Sequence, residues 1–124
     1  MGEMDEVMKA FLVETVENLD QLDCALLTLE RDPASAKAIE EAFRAMHTVK
    51  GNSAMLGFAR LQAIAHAGED LFSRLRERKL LMNRKIATAL LSVVDAIRRT
   101  LGILEKSGSE GSEDHSALLK QLEE

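Results

Sequence analysis

Apolar residues recur at steps of three and four along nearly the whole chain, a period that suits packed helices and not strands. Between Met4 and Arg31 the stripe is Met8, Phe11, Leu12, Val16, Leu19, Leu22, Leu26 and Leu29, which predicts one long amphipathic helix packed against others. Asp32-Pro33 ends it, with Asp32 expected as the N-cap and Pro33 as the first residue of a second helix. That helix is expected to reach about Leu56, turning Ile39, Ala42, Phe43, Met46, Val49 and Ser53 inward, and to stop at Gly57. A third, about Arg60 to Arg78, would bury Leu61, Ile64, Gly68, Leu71, Phe72 and Leu75. After Lys79-Leu80-Leu81-Met82, Asn83 can cap a fourth, whose stripe is Ile86, Leu90, Val93, Val94, Ile97, Leu101 and Leu104.

Strand signals are missing: there is no alternating β-branched run and no Asn-Gly or Asp-Gly hairpin. One proline and many Leu, Ala, Glu and Arg favour helix throughout. The expected fold is therefore all-α, an antiparallel up-down four-helix bundle over residues 1–106 joined by short loops. Residues 107–114, Ser-Gly-Ser-Glu-Gly-Ser-Glu-Asp, read as a flexible acidic linker. Residues 115–124 then carry a short fifth helix, clearest from Ala117 to Leu122.

Composition removes several classes of function. A chain of 124 residues, 46% hydrophobic and 30% charged, is one folded domain and not a disordered tail. Its net charge of −5 argues against nucleic acid as a partner, because neutralising phosphates calls for a basic face. No apolar run approaches membrane-spanning length and no signal segment opens the chain, so membrane insertion is not expected. The single cysteine, Cys24, excludes an internal disulfide and reads as a small core residue in a cytoplasmic protein.

One patch of the second helix does not suit a purely structural role. In His47-Thr48-Val49-Lys50-Gly51-Asn52-Ser53-Ala54, the lysine and the glycine lie three and four residues beyond the histidine, and so flank it. A mid-helix glycine costs about 1 kcal/mol against alanine, so Gly51 calls for a reason. Together with Ala54 it leaves room for something large to approach the imidazole, and Lys50 favours an anion there. On a helical wheel His47 falls at the shoulder of the buried stripe, with Arg44 on its outer flank.

The run Ala42 to Phe58, AFRAMHTVKGNSAMLGF, with His66 and Glu69 downstream, resembles the signature of histidine phosphotransfer (HPt) domains, nearest to the N-terminal phosphotransfer domain of CheA-type chemotaxis kinases. The family often has a more glycine-rich stretch after its lysine, where this chain has Gly51-Asn52-Ser53-Ala54. The resemblance implies that His47 accepts a phosphoryl group on Nε2 while Nδ1–H points at Glu69. A neutral imidazole has one nucleophilic nitrogen and one N–H, so it needs a fixed tautomer more than it needs a base. Lys50 would neutralise phosphate oxygens, His66 would orient Glu69 from one turn before it, and Arg44 would serve docking. The resemblance also implies partners: an ATP-dependent histidine kinase catalytic domain, in the same polypeptide and acting across a dimer, and response regulators of the CheY and CheB type. ATP and Mg²⁺ would come with those partners, and no cofactor would be bound by this domain, which has no Gly-rich nucleotide loop.

Two other readings compete. His47, His66 and Glu69 are all possible metal ligands, but no Glu precedes either histidine by three residues as in di-iron bundles, and Lys50 would oppose a cation. A helical adaptor that carries no phosphate is the alternative of a different class.

Overall fold

The computed structural model describes residues 3–107 and 118–119. Among these, four helices follow in chain order: α1 Glu3–Arg31, α2 Ala36–Met55, α3 Ala59–Arg76 and α4 Arg84–Ser107. Each packs against the next, and α4 closes on α1, so the four form a ring with no diagonal pairing. The connections are too short to run back along the bundle, so the chain reverses at each one and sequential neighbours are antiparallel. Phe11, early in α1, meets Phe58 at the α2–α3 turn with ring centroids 5.4 Å apart, as that arrangement requires. No helix among the described residues is long and apolar enough to cross a membrane.

The predicted stripes supply the core. Leu19, Leu22 and Leu29 from α1 meet Met46 and Val49 from α2, Leu61, Ile64 and Phe72 from α3, and Leu90, Val93, Ile97 and Leu104 from α4, all fully buried. Two α1 expectations are corrected. Val16 is exposed and Thr15 is buried in its place, because the inward row steps Phe11, Thr15, Leu19, Leu22. Cys24 is exposed instead of lying in the core, since Leu22, Ala25 and Leu26 fill the inward positions around it.

The helix ends show which local signals govern. Asp32 is not the N-cap of α2; Ser35 is, its hydroxyl accepting the Ala38 N–H at 3.2 Å. Asp32 opens a turn closed by Ser35 N–H donating to the Asp32 carbonyl at 3.0 Å, with Pro33 at its second position, where its fixed φ is equally welcome. The end of α2 is as expected: Gly57 adopts φ 77°, and N–H groups of Gly57 and Phe58 return to the carbonyls of Ala54 and Ser53. The same Schellman bond pattern ends α3, with Arg78 and Lys79 bonding back to Leu75 and Arg74. There the left-handed position is filled by Arg78 at φ 62°, so α3 ends at Arg76, two residues before the expected end. Asn83 caps α4 as predicted, its Oδ1 accepting the Ile86 N–H at 2.8 Å.

At the C-terminus, α4 takes in Ser107, one residue beyond the boundary expected at 106. Leu118 and Leu119 have helical backbone, and Leu118 packs against the core. The rest of the expected linker and fifth helix lies outside the described residues.

A non-glycine residue in the left-handed region is strained by about 1–2 kcal/mol. Arg78→Gly is therefore expected to raise the unfolding free energy by about 1 kcal/mol, once the greater freedom of glycine in the unfolded chain is offset. Chemical denaturation checks this; an unchanged or lower midpoint would mean that the α3 end is held by contacts of the Arg78 side chain.

Candidate functional site

The site is built across the α2–α3 interface, and a missing side chain sets its depth. Gly68 of α3 faces Met46 of α2 so closely that a Cβ there would stand 2.8 Å from the methionine methyl. The residues following each of these, His47 and Glu69, are thereby brought within reach of one another. Glu69 Oε2 lies 2.5 Å from His47 Nδ1, and Glu69 Oε1 accepts a hydrogen bond from Lys50 Nζ at 2.7 Å. Both contacts join residues about twenty positions apart in sequence, so they exist only once the bundle has formed.

The three side chains differ in exposure in a way that matters: 12% for Glu69, 24% for Lys50 and 63% for His47. Burial removes water from the Glu69 carboxylate and by itself would raise its pKa. The hydrogen bonds from Lys50 and His47, and the charges behind them, outweigh that effect and hold the carboxyl below its ordinary value of 4.5. Glu69 is accordingly ionised at neutral pH and can only accept hydrogen bonds. The imidazole nitrogen facing it must then carry the proton. In a neutral ring the lone pair falls on Nε2, which makes no hydrogen bond to protein among the described residues.

The surroundings leave the imidazole accessible. Gly51 and Ala54 are both exposed, and a Cβ added at Gly51 would meet nothing within 4 Å. No contact among the described residues therefore demands a glycine at that position. Arg44 is 77% exposed and bonds Glu40 one turn back at 3.1 Å. His66 does not play the part expected of it. Its side chain is exposed, and no hydrogen bond joins it to Glu69, whose two oxygens are already engaged by α2. Lys50 also differs from a simple phosphate-facing cation, since its ammonium is paired with Glu69.

Sequence reasoning did not anticipate what lies on the other side of the ring. The Phe43 ring is nearly parallel to the imidazole, 16° between planes and 6.3 Å between centroids. Arg76 from the end of α3 covers the Phe43 ring, its guanidinium carbon 4.0 Å from the centroid. The spacing from Phe43 to His47 is visible in sequence, but nothing in sequence ties Arg76 to either residue. Among the described residues no group of three or more His, Cys, Asp or Glu is arranged to hold a metal ion.

A helical bundle that presents an exposed imidazole, oriented by a buried carboxylate on the neighbouring helix, is the architecture of a phosphotransfer domain, and the comparisons with known proteins agree. The family model of the Hpt domain matches residues 6–100, and the chain belongs to that family. The chain is similar to the chemotaxis protein CheA of Treponema pallidum, 33% identical over 95% of this chain and 14% of the relative. CheA of Halobacterium salinarum is 35% identical over 85% of this chain and 16% of its own length. The chain thus spans about one-sixth or less of these relatives. Among solved structures, the histidine phosphotransfer domain of CheA superposes with a TM-score of 0.89 at 29% identity, covering 98% of this chain and 92% of that one. The phosphorylated P1 domain of CheA3 in complex with CheY6 from R. sphaeroides gives 0.86 at 30% identity, covering 96% and 94%.

Glu69 should leave an acid signature. Because its folded pKa is depressed, its pairing contributes stability that is fully present above the ordinary value of 4.5 and is lost as pH falls through the lower folded value. Between about pH 5 and pH 3 the wild-type chain should lose more unfolding free energy than Glu69→Gln, which has no carboxyl to titrate there. Urea denaturation across that range measures it; parallel losses would show that the carboxylate gains nothing from its partners.

Proposed function

We propose that this chain is a phosphohistidine carrier in chemotaxis-type two-component signalling, with His47 as the phosphoryl acceptor. The observation that carries the reading is the division of labour on one imidazole: Nδ1 committed to Glu69, Nε2 unengaged on a side chain 63% exposed. A kinase catalytic domain presents ATP. The Nε2 lone pair attacks the γ-phosphorus, the bond from that phosphorus to the bridging oxygen breaks, and ADP departs with the electron pair. The ring gains positive charge as the P–N bond forms, and the ionised Glu69 beside Nδ1–H stabilises it. Lys50 lies one turn along the same helix, on a flexible stem still partly open to solvent, and offers its charge to the phosphoryl oxygens. In the return step an aspartate of a response regulator attacks phosphorus, the P–N bond breaks, and the neutral imidazole is restored.

This chain contributes a positioned nucleophile, and its partners contribute the rest. The kinase domain would hold ATP and Mg²⁺, and the regulator would bring Mg²⁺ with its acceptor carboxylate. The curated relatives are several times longer than this chain, which supports a kinase domain in the same polypeptide; in this proposal that domain acts across a dimer. The neighbour seen with CheY6 supports a regulator of the CheY type docking on the His47 face, where Arg44, Gly51 and Ala54 are exposed, and the proposal extends to regulators of the CheB type. A cytoplasmic setting suits a chain with a single exposed thiol.

Labelling with a cognate kinase domain and radiolabelled ATP tests the reading. His47→Gln should retain its helical circular dichroism and take no acid-labile phosphate; label persisting in that variant would remove His47 from its role and leave the adaptor reading open. Gly51→Ala should be more stable by about 1 kcal/mol, because an exposed helical glycine is replaced without a clash. It should nevertheless be labelled roughly tenfold more slowly, since small displacements of reacting groups are costly. Unimpaired labelling of Gly51→Ala would show that no partner uses the space the glycine leaves.

A further inference from the structure

One hydrogen bond does not aim a ring. The contact between Nδ1 and Glu69 fixes one edge of the imidazole, but a hydrogen bond bends by about 30° before it weakens appreciably. An exposed imidazole tethered only there would sweep Nε2 through an arc. Phe43 lies one turn before His47 on α2, and its ring runs nearly parallel to the imidazole plane, within the range of offset aromatic pairs. Phe43 is itself half-buried against the core and covered by the Arg76 guanidinium, a cation over an aromatic face. Arg76 is in turn held by Glu40 at 3.6 Å, and Glu40 also takes Arg44. A continuous stack, Glu40 to Arg76 to Phe43 to His47, therefore approaches the ring from one side while Glu69 holds its edge from α3.

We propose that Phe43 and Arg76 are positioning residues for phosphoryl transfer: Phe43 restrains the tilt of the imidazole so that Nε2 keeps one direction, and Arg76 pins Phe43 to α3. Neither touches the reacting phosphorus. The inference rests on His47 being the acceptor, and two measurements on the full 124-residue chain keep the two claims apart. The first involves no kinase: ¹³C relaxation of the His47 ring carbons gives the order parameter of the imidazole. It should fall in Phe43→Leu, which keeps apolar bulk and loses the flat ring, and be unchanged in Phe43→Tyr. In Arg76→Gln, with the cation gone, it should fall part-way.

The second is labelling by the cognate kinase domain with radiolabelled ATP at varied concentrations of this chain. In Phe43→Leu kcat should drop roughly tenfold with KM within about twofold of wild type, because aim and not docking is lost. Phe43→Tyr should retain the wild-type kcat, and Arg76→Gln should fall between. An unchanged order parameter in Phe43→Leu overturns the proposal whatever the kinetics. So does a loss expressed in KM alone, which would make Phe43 a docking residue, or an equal loss in Phe43→Tyr, which would make the effect one of general packing. Wild-type chain that takes label at a residue other than His47 would instead refute the acceptor assignment, and the relaxation result would stand on its own.

Discussion

A carboxylate drawn between two helices must have its charge answered, and α2 answers Glu69 twice. His47 takes one oxygen and Lys50 the other, leaving neither lone-pair face to an apolar wall. This arrangement makes α2 and α3 a matched pair rather than two helices that happen to touch. It depends on Gly68, which removes the side chain that would otherwise hold the helices apart over Met46. Fold and chemistry meet at that crossing: the tight contact of Gly68 with Met46 immediately precedes, on each helix, a residue of the site.

Elsewhere around His47 the structure favours access over stability. Gly51 sits on an exposed helical face with open space where a methyl group would go. Alanine would be the better helix former there, so the glycine has no account within the bundle itself. An incoming macromolecule supplies one. The same logic explains why His47 is more exposed than either Glu69 or Lys50.

Much of this was legible in the sequence because helical period is a strong signal. The inward residues predicted for α3 are all buried, and Asn83 and Gly57 mark helix ends where their chemistry says they should. The misreadings have local causes. Asp32 and Ser35 are both competent caps three residues apart, and Pro33 suits either a turn or a first helical turn. Arg78 gives no hint of a left-handed conformation, because that position is ordinarily glycine. At the site, the pairing of His47 with Glu69 was expected, but the depth of Glu69 was not, since it follows from how closely Gly68 allows the helices to pack. The Lys50 ion pair, the absence of His66 from the network and the Arg76–Phe43 stack are all tertiary outcomes, decided between helices and invisible along any one of them.

The central claim is that an ionised Glu69 dictates which imidazole nitrogen carries the proton and which is left to attack. Long-range ¹H–¹⁵N NMR correlation of the His47 ring, recorded at alkaline pH, reads the tautomer directly. The account predicts a protonated Nδ1 and a bare Nε2 in the wild-type chain, with the population moving toward the Nε2–H form once Glu69 is replaced by alanine. A wild-type ring protonated on Nε2, or a tautomer indifferent to the loss of Glu69, would contradict it.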